Sequence, residues 1–128
     1  MQEQSVSERS GGSVAAEATV LFVDDEPMLL ELWEARFADE YDVRTAEGGE
    51  EALRRFDDDV DVVFLDRRMP ETNGDEVVRR LREEGHETPV VMFTAVDPEH
   101  DVPAEYDEYV TKPMNGEQAR RLIDRYAT

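Results

Sequence analysis

Short runs of branched and aromatic apolar residues alternate in this chain with stretches whose apolar residues recur at helical spacing, a pattern few folds accommodate. Val20-Leu21-Phe22-Val23 is apolar at every position, as a strand buried on both faces must be, and it stops at Asp24-Asp25-Glu26. Pro27 suits a first helical turn, and Leu29, Leu30, Trp33 and Phe37 then line one face of a helix running to about Ala38. A weak second strand over 42–46 precedes a helix over 49–56 with Ala52, Leu53 and Phe56 inward, and residues 60–65 form the next buried strand. Asn73-Gly74 turns the chain into a helix carrying Val77, Val78 and Leu81, which Gly85 ends. A fourth strand over 90–93 stops at Thr94. Pro98 and Pro103 leave room for only a short helical turn in 96–105. A fifth strand over 109–111 and a last helix over 116–126, with Ala119, Leu122 and Ile123 inward, complete the pattern.

Strands and helices in this order predict an α/β fold, a doubly wound parallel sheet of five strands with right-handed crossovers placing helices on both faces. Such sheets carry their sites beyond the carboxyl ends of the strands. Asp24, Asp25, Asp66, Thr94 and Lys112 all fall at or just past predicted strand ends, so the fold gathers five scattered residues into one cleft. The 128 residues suit one domain, expected over 19–127. Residues 1–18 are rich in Ser, Gly, Ala and Glu, with Val6 and Val14 as their only large apolar side chains after Met1, and are expected to be a flexible tail.

Charge narrows the function. The 33 acidic and 14 basic residues leave a net charge of −19, which repels a phosphate backbone and argues against direct nucleic-acid binding. Self-repulsion on this scale is relieved by salt, and the acid excess throughout the chain together with the near-absence of lysine reads as adaptation to high salt. The chain has no cysteine, hence no disulfide or thiolate metal site, and no apolar run approaches the roughly 20 residues that span a bilayer. A cytoplasmic protein without membrane insertion is the expectation.

Lys112 is the only lysine among the 14 basic residues. Its compact, mobile ammonium suits a small anion better than the wide arginine fork does. Three converging carboxylates would raise one another's pKa unless a cation sat among them, and Mg²⁺, which takes oxygen ligands and keeps several waters, is the natural occupant. An aspartate can itself be a nucleophile and form an acyl phosphate. Phosphoryl transfer then needs chiefly charge neutralisation, which Mg²⁺, the Lys112 ammonium and the Thr94 hydroxyl would supply.

Residues 19–127 resemble the receiver domains of two-component response regulators, in particular those of halophilic archaea. The resemblance rests on Val20-Leu21-Phe22-Val23-Asp24-Asp25-Glu26-Pro27, on Val63-Phe64-Leu65-Asp66-Arg67-Arg68-Met69-Pro70 with Asn73-Gly74 following, on Phe93-Thr94-Ala95, and on Tyr109-Val110-Thr111-Lys112-Pro113. It implies a flavodoxin-like sheet of order 2-1-3-4-5 and a phosphoacceptor at Asp66. It further implies Mg²⁺ held directly by Asp25 and Asp66, through water by Asp24, and by the backbone carbonyl of Arg68. Lys112 and Thr94 would hold phosphoryl oxygens, and Tyr109 would turn inward as Thr94 moves toward the phosphate. A cis Lys112-Pro113 bond is also implied. The donor would be a histidine kinase or phosphotransfer protein. The output would go to an unknown downstream protein, with a homodimer as one form, and the chain would be a signalling domain rather than a conventional enzyme.

Each residue also has a plainer reading. An Asp-Asp pair is commonly a solvated turn, and Asp66, Thr94 and Lys112 singly could be a loop cap, a strand end and a surface charge; it is their joint order that argues for a site. Tyr109 is either core or switch, Trp33 is core rather than ligand, and His86 and His100 are expected to be exposed. The 18 positions from Thr94 to Lys112 are few for a receiver, so the helix between the fourth and fifth strands, the fourth in the family's order, is expected to be short or remodelled. Two other functions compete. A haloacid-dehalogenase-like phosphatase also uses an aspartyl nucleophile and Mg²⁺, but needs a second Asp two residues on, where this chain has Glu26 after Asp24 and Arg68 after Asp66. The other is a receiver-like scaffold that acts without phosphate. A stand-alone receiver and a piece of a longer regulator both fit.

Overall fold

The computed structural model describes residues 18–94 and 106–127. Its strands are β1 (Thr19–Val23), β2 (Asp42–Ala46), β3 (Val62–Asp66), β4 (Val90–Thr94) and β5 (Glu108–Thr111), and its helices are α1 (Pro27–Phe37), α2 (Gly49–Arg55), α3 (Gly74–Glu83) and α4 (Gly116–Tyr126). All strand pairs are parallel, in the order β2-β1-β3-β4-β5. The expected sheet is therefore the observed one. The helix foreseen between the fourth and fifth strands, residues 1–17 of the tail expected over 1–18, and His100 lie outside the described residues, whereas Ala18, counted in that tail, is 3% exposed and packs in the core.

Alternation along the strands sorts the core into two layers. Val20 and Phe22 of β1, with Val62 and Phe64 of β3, join Leu30, Trp33 and Phe37 of α1 and Ala119, Leu122 and Ile123 of α4. Leu21 and Val23, with Val63 and Leu65, face Ala52 of α2 and Val77, Val78 and Leu81 of α3. β1 and β3 are buried along their whole length because helices cover both faces, which is why their sequences carry no polar alternation. Phe22 lies at the centre of an aromatic stack, with ring centroids 5.4 Å from Trp33, 6.2 Å from Phe37 and 5.0 Å from Phe64.

Local chemistry sets the helix ends. Asn73 Oδ1 accepts from the Glu76 N–H at 3.0 Å and Asn115 Oδ1 from the Gln118 N–H at 2.7 Å, so α3 and α4 each begin with an asparagine cap. α3 ends where Gly85 takes φ 91°, with Gly85 N–H bonded to the Arg82 carbonyl and His86 N–H to the Leu81 carbonyl, the paired bonds of a Schellman ending.

Two local expectations need correction. β3 begins at Val62 rather than at residue 60, because the Val60 N–H is spent on the Asp57 carbonyl at 3.1 Å in the preceding turn. His86 is not exposed: its side chain is 28% accessible and its ring meets Phe56 edge-on at 4.7 Å, between Asp58 and Glu84. The Schellman turn folds residue 86 back over the end of α2, and a helical-spacing argument does not see that.

Gly74 shows how tightly α3 is seated under the end of β3. A Cβ there would lie 2.8 Å from the Asp66 carbonyl oxygen and 2.9 Å from both Arg67 Cα and Met92 Sδ. Gly74→Ala is therefore expected to cost about 1–3 kcal/mol through forced displacement. Gly48→Ala, whose added methyl meets nothing within 4 Å, is the control. Urea midpoints in high salt should fall for the first and hold for the second; equal midpoints would show that the backbone there yields freely.

Candidate functional site

The carboxyl ends of β1, β3 and β5 deliver the charged residues. Asp24 follows β1, its N–H bonded to the Ala46 carbonyl at 3.1 Å, and its side chain is fully buried. Asp66 is the last residue of β3 and only 4% exposed, while Asp25 beside Asp24 is exposed. Carboxylate oxygens of Asp24, Asp25 and Asp66 lie within 4.8 Å of one another, the one such acidic cluster among the described residues. Lys112 follows β5, with Nζ 3.0 Å from Asp24 Oδ2, 3.4 Å from Asp66 Oδ2 and 5.2 Å from the Phe93 ring centroid. The Lys112-Pro113 bond is cis.

Backbone donors aim the two buried carboxylates. The Glu26 N–H donates to Asp24 Oδ1 at 3.0 Å and the Arg68 N–H to Asp66 Oδ1 at 3.2 Å. Each acid thus uses one oxygen on its own loop and turns the other toward Lys112.

One ammonium cannot satisfy both. Burial pushes the Asp66 carboxyl up to about 6, with the Asp24 charge adding to the rise and Lys112 opposing it. Burial likewise lifts Asp24 above its ordinary value despite the hydrogen bonds from Lys112 and the Glu26 N–H. Burial works against the Lys112 charge too, but its bonds to Asp24 and the nearby Asp66 outweigh that and raise its pKa. The cation gains from the arrangement while the acids lose by it. Three carboxylates against one ammonium leave a net charge of −2 among hard oxygen donors. A small divalent cation with oxygen preference fits that donor set and that charge.

The remaining expected residues are placed as follows. Arg68 has an exposed side chain and reaches the site through its backbone. Thr94 closes β4 in register with Thr111 of β5, and its side chain lies outside the described part of the chain. Tyr109, in β5, is half-buried, its ring 5.5 Å from that of Tyr106. Trp33 is core, as expected. A cleft of about 310 Å³ opens beside Asp25, between the start of α2 and the Pro70–Thr72 loop. On its rim Glu71 takes φ 68°, a left-handed conformation that costs a non-glycine residue roughly 1–2 kcal/mol.

Sequence reasoning missed Arg67 and Asp75. Arg67 Nε and Nη2 both lie 3.1 Å from Asp75 Oδ2, with both side chains about one-fifth exposed. The available signal was an arginine directly after Asp66 and an aspartate in the first turn of the following helix, where the helix dipole favours negative charge.

Comparison with known proteins adds the following. The family described as response regulator receiver domain matches residues 20–124. A putative transcriptional regulator of Haloferax volcanii is 46% identical over 116 residues, covering 86% of this chain and 19% of that protein. Response regulator SaeR of Staphylococcus aureus is 34% identical over 114 residues, 85% of this chain and 50% of SaeR. The chain thus spans half or less of the length of these relatives. Among solved structures, response regulator TrrA of Thermotoga maritima, in complex with Mg²⁺ and BeF, superposes with a TM-score of 0.76 at 33% identity, covering 85% of this chain and 98% of that one.

Proposed function

The chain belongs to the response regulator receiver family, and from that premise we propose that it is a phosphorylation-controlled switch whose phosphoacceptor is Asp66. The observation that carries the reading is a buried carboxylate at the end of a central strand, shared with Asp24 and one lysine in a cluster two positive charges short. An Asp66 carboxylate oxygen attacks the phosphorus of a phosphohistidine on a histidine kinase or phosphotransfer protein. The P–N bond breaks and its electron pair stays with the imidazole. Lys112, shared between two acids, moves to a phosphoryl oxygen, and the Thr94 hydroxyl donates to another.

Asp25 and Asp66 would hold Mg²⁺ directly, Asp24 through water, and Arg68 by its carbonyl. When bound, the ion supplies the missing positive charge and draws electron density from the phosphoryl oxygens. Tyr109 is the residue whose inward turn would report phosphorylation to a downstream protein or to a second copy of the chain. No described helix is long and apolar enough to cross a membrane, and we place the activity in the cytoplasm, in high salt.

The test is intact mass after incubation with acetyl phosphate and Mg²⁺ in high salt. One phosphoryl adduct mapping to Asp66 is expected. A folded protein that takes no adduct from acetyl phosphate or from a phosphorylated histidine kinase overturns the proposal.

Mg²⁺ binding should carry its own pH signature. The folded Asp66 pKa of about 6 exceeds the unfolded value of 3.8, so between these limits the metal-free folded state holds the extra proton and loses stability as pH rises. A cation at the cluster favours the ionised form and offsets that loss. Stabilisation by saturating Mg²⁺ should therefore grow from pH 4 to pH 7, by roughly 3 kcal/mol from Asp66 alone. A pH-independent increment would place the ion elsewhere.

A further inference from the structure

The loop over 67–73 joins the proposed phosphoacceptor to α3, and it is held in a conformation it would not keep alone. Glu71 takes φ 68°, and the Thr72 N–H closes onto the Pro70 carbonyl at 2.7 Å. A left-handed non-glycine residue persists only where its surroundings over-determine it. At the tip of the loop, the Thr72 hydroxyl donates to Glu50 Oε2 at 2.7 Å. At its feet, the Arg67 N–H donates to the Phe93 carbonyl at 3.0 Å and the Arg67 carbonyl accepts from the Gly74 N–H at 2.8 Å. Side chains fasten the same two feet a second time, with Arg67 Nε and Nη2 both 3.1 Å from Asp75 Oδ2. Asp75 lies in the first turn of α3, a helix fixed by its Asn73 cap and by Val77, Val78 and Leu81 in the core, so it is a firm anchor.

As a stabilising element the pair is poorly made. An arginine facing a carboxylate ordinarily pairs fork to fork, one donor per oxygen. Here both donors share Oδ2, and Oδ1 is buried without a donor among the described residues, which costs free energy. What the arrangement does fix is residue 67, and through it the next peptide unit, whose Arg68 N–H donates to Asp66 Oδ1 at 3.2 Å. We propose that Arg67 and Asp75 are positioning residues that clamp the loop behind Asp66, so that the Arg68 backbone serves the site with its N–H on the phosphoacceptor and its carbonyl on the bound cation. The inference rests on the proposed reading of that carbonyl as a Mg²⁺ ligand. Neither side chain needs to touch the ion, because groups behind a metal's direct ligands act by setting where those ligands stand.

The test is Mg²⁺ affinity by calorimetric titration in high salt for wild type, Arg67→Gln, Asp75→Asn and the double variant, with amide hydrogen exchange at Arg68 read on the metal-free proteins. Charge and position predict different signs. Acting through space, loss of the Arg67 cation would tighten Mg²⁺ and loss of the Asp75 anion would weaken it. Loss of the clamp should weaken Mg²⁺ about tenfold in either variant, with no further loss in the double. Arg67→Lys, whose one ammonium can serve the same single oxygen, should stay within about threefold of wild type. The Arg68 amide should exchange faster in both single variants, while the Glu26 amide, bonded in the same way to Asp24 Oδ1, reports any general loosening. Opposite shifts of affinity in the two variants, or unchanged affinity in either, overturn the clamp. Wild type that binds no Mg²⁺ would strike the metal reading instead, and the exchange would still decide: Arg68 protection that is equal in wild type and Arg67→Gln, or lost only in step with Glu26, overturns the clamp.

Discussion

Asp66→Asn is expected to take up no phosphoryl group from any donor and, in Mg²⁺-free buffer at pH 7, to be more stable than wild type by roughly 3 kcal/mol. The two effects share one cause. Asp66 is almost fully buried at the end of β3, beside Asp24 and with only part of one lysine's charge, so burial lifts its pKa to about 6. An asparagine keeps the shape and an oxygen for the Arg68 N–H, while the penalty of a buried negative charge disappears. The amide is no nucleophile. Because the folded pKa lies above the unfolded one, the advantage of Asn should vanish below about pH 4 and be full above about pH 7. Intact mass and urea midpoints across that range measure both. An adduct on the folded variant would move the phosphoacceptor elsewhere, and a loss of stability at pH 7 would mean that Lys112 compensates Asp66 fully. A protein that is less stable with its functional residue than without it has that residue for a reason other than folding.

Phe22→Ala should cost about 3–5 kcal/mol, the largest expected loss of stability from a single change. Phe22 is fully buried and stacks on Trp33, Phe37 and Phe64, tying α1 to both central strands. Truncation removes its transfer free energy and leaves a cavity that rings fixed on two separate elements, α1 and β3, cannot close. Domains of this size have only about 5–15 kcal/mol in hand, and a net charge of −19 lowers that margin further when salt is removed. The variant should fold in high salt with a melting temperature lower by on the order of 15 °C or more, and unfold at low salt. Leu32→Ala, at a side chain 63% exposed on the outer face of α1, should shift stability by less than about 0.5 kcal/mol. Comparable losses for the two would mean that the Phe22 site collapses on truncation or that Leu32 is covered in solution.

What could be read in advance divides along a physical line. The strands at 19–23, 62–66 and 90–94 were legible because strands buried on both faces are apolar at every position, a signal contained in four or five consecutive residues. β2 and β5, at the two edges, are only partly covered and carry weaker patterns. The convergence of Asp24, Asp25, Asp66 and Lys112 followed from topology, since all parallel strands of such a sheet point their carboxyl ends the same way. His86 went the other way. Its surroundings are made by a Schellman turn and by the end of a different helix, and no local period encodes them.

The sequence by itself determined the strand and helix order, the side of the sheet that carries chemistry, and the residue types gathered there, because each follows from short-range pattern and chain direction. Only the tertiary structure decided how the charges are apportioned. That Lys112 sits 3.0 Å from Asp24 and 3.4 Å from Asp66, leaving neither acid neutralised, depends on distances between β1, β3 and β5 that no one segment contains. So does the meeting of Arg67 and Asp75, which come from a loop and a helix. Burial and electrostatic interaction depend on position in three dimensions, so the sequence named the charged groups and the fold decided how much each one costs.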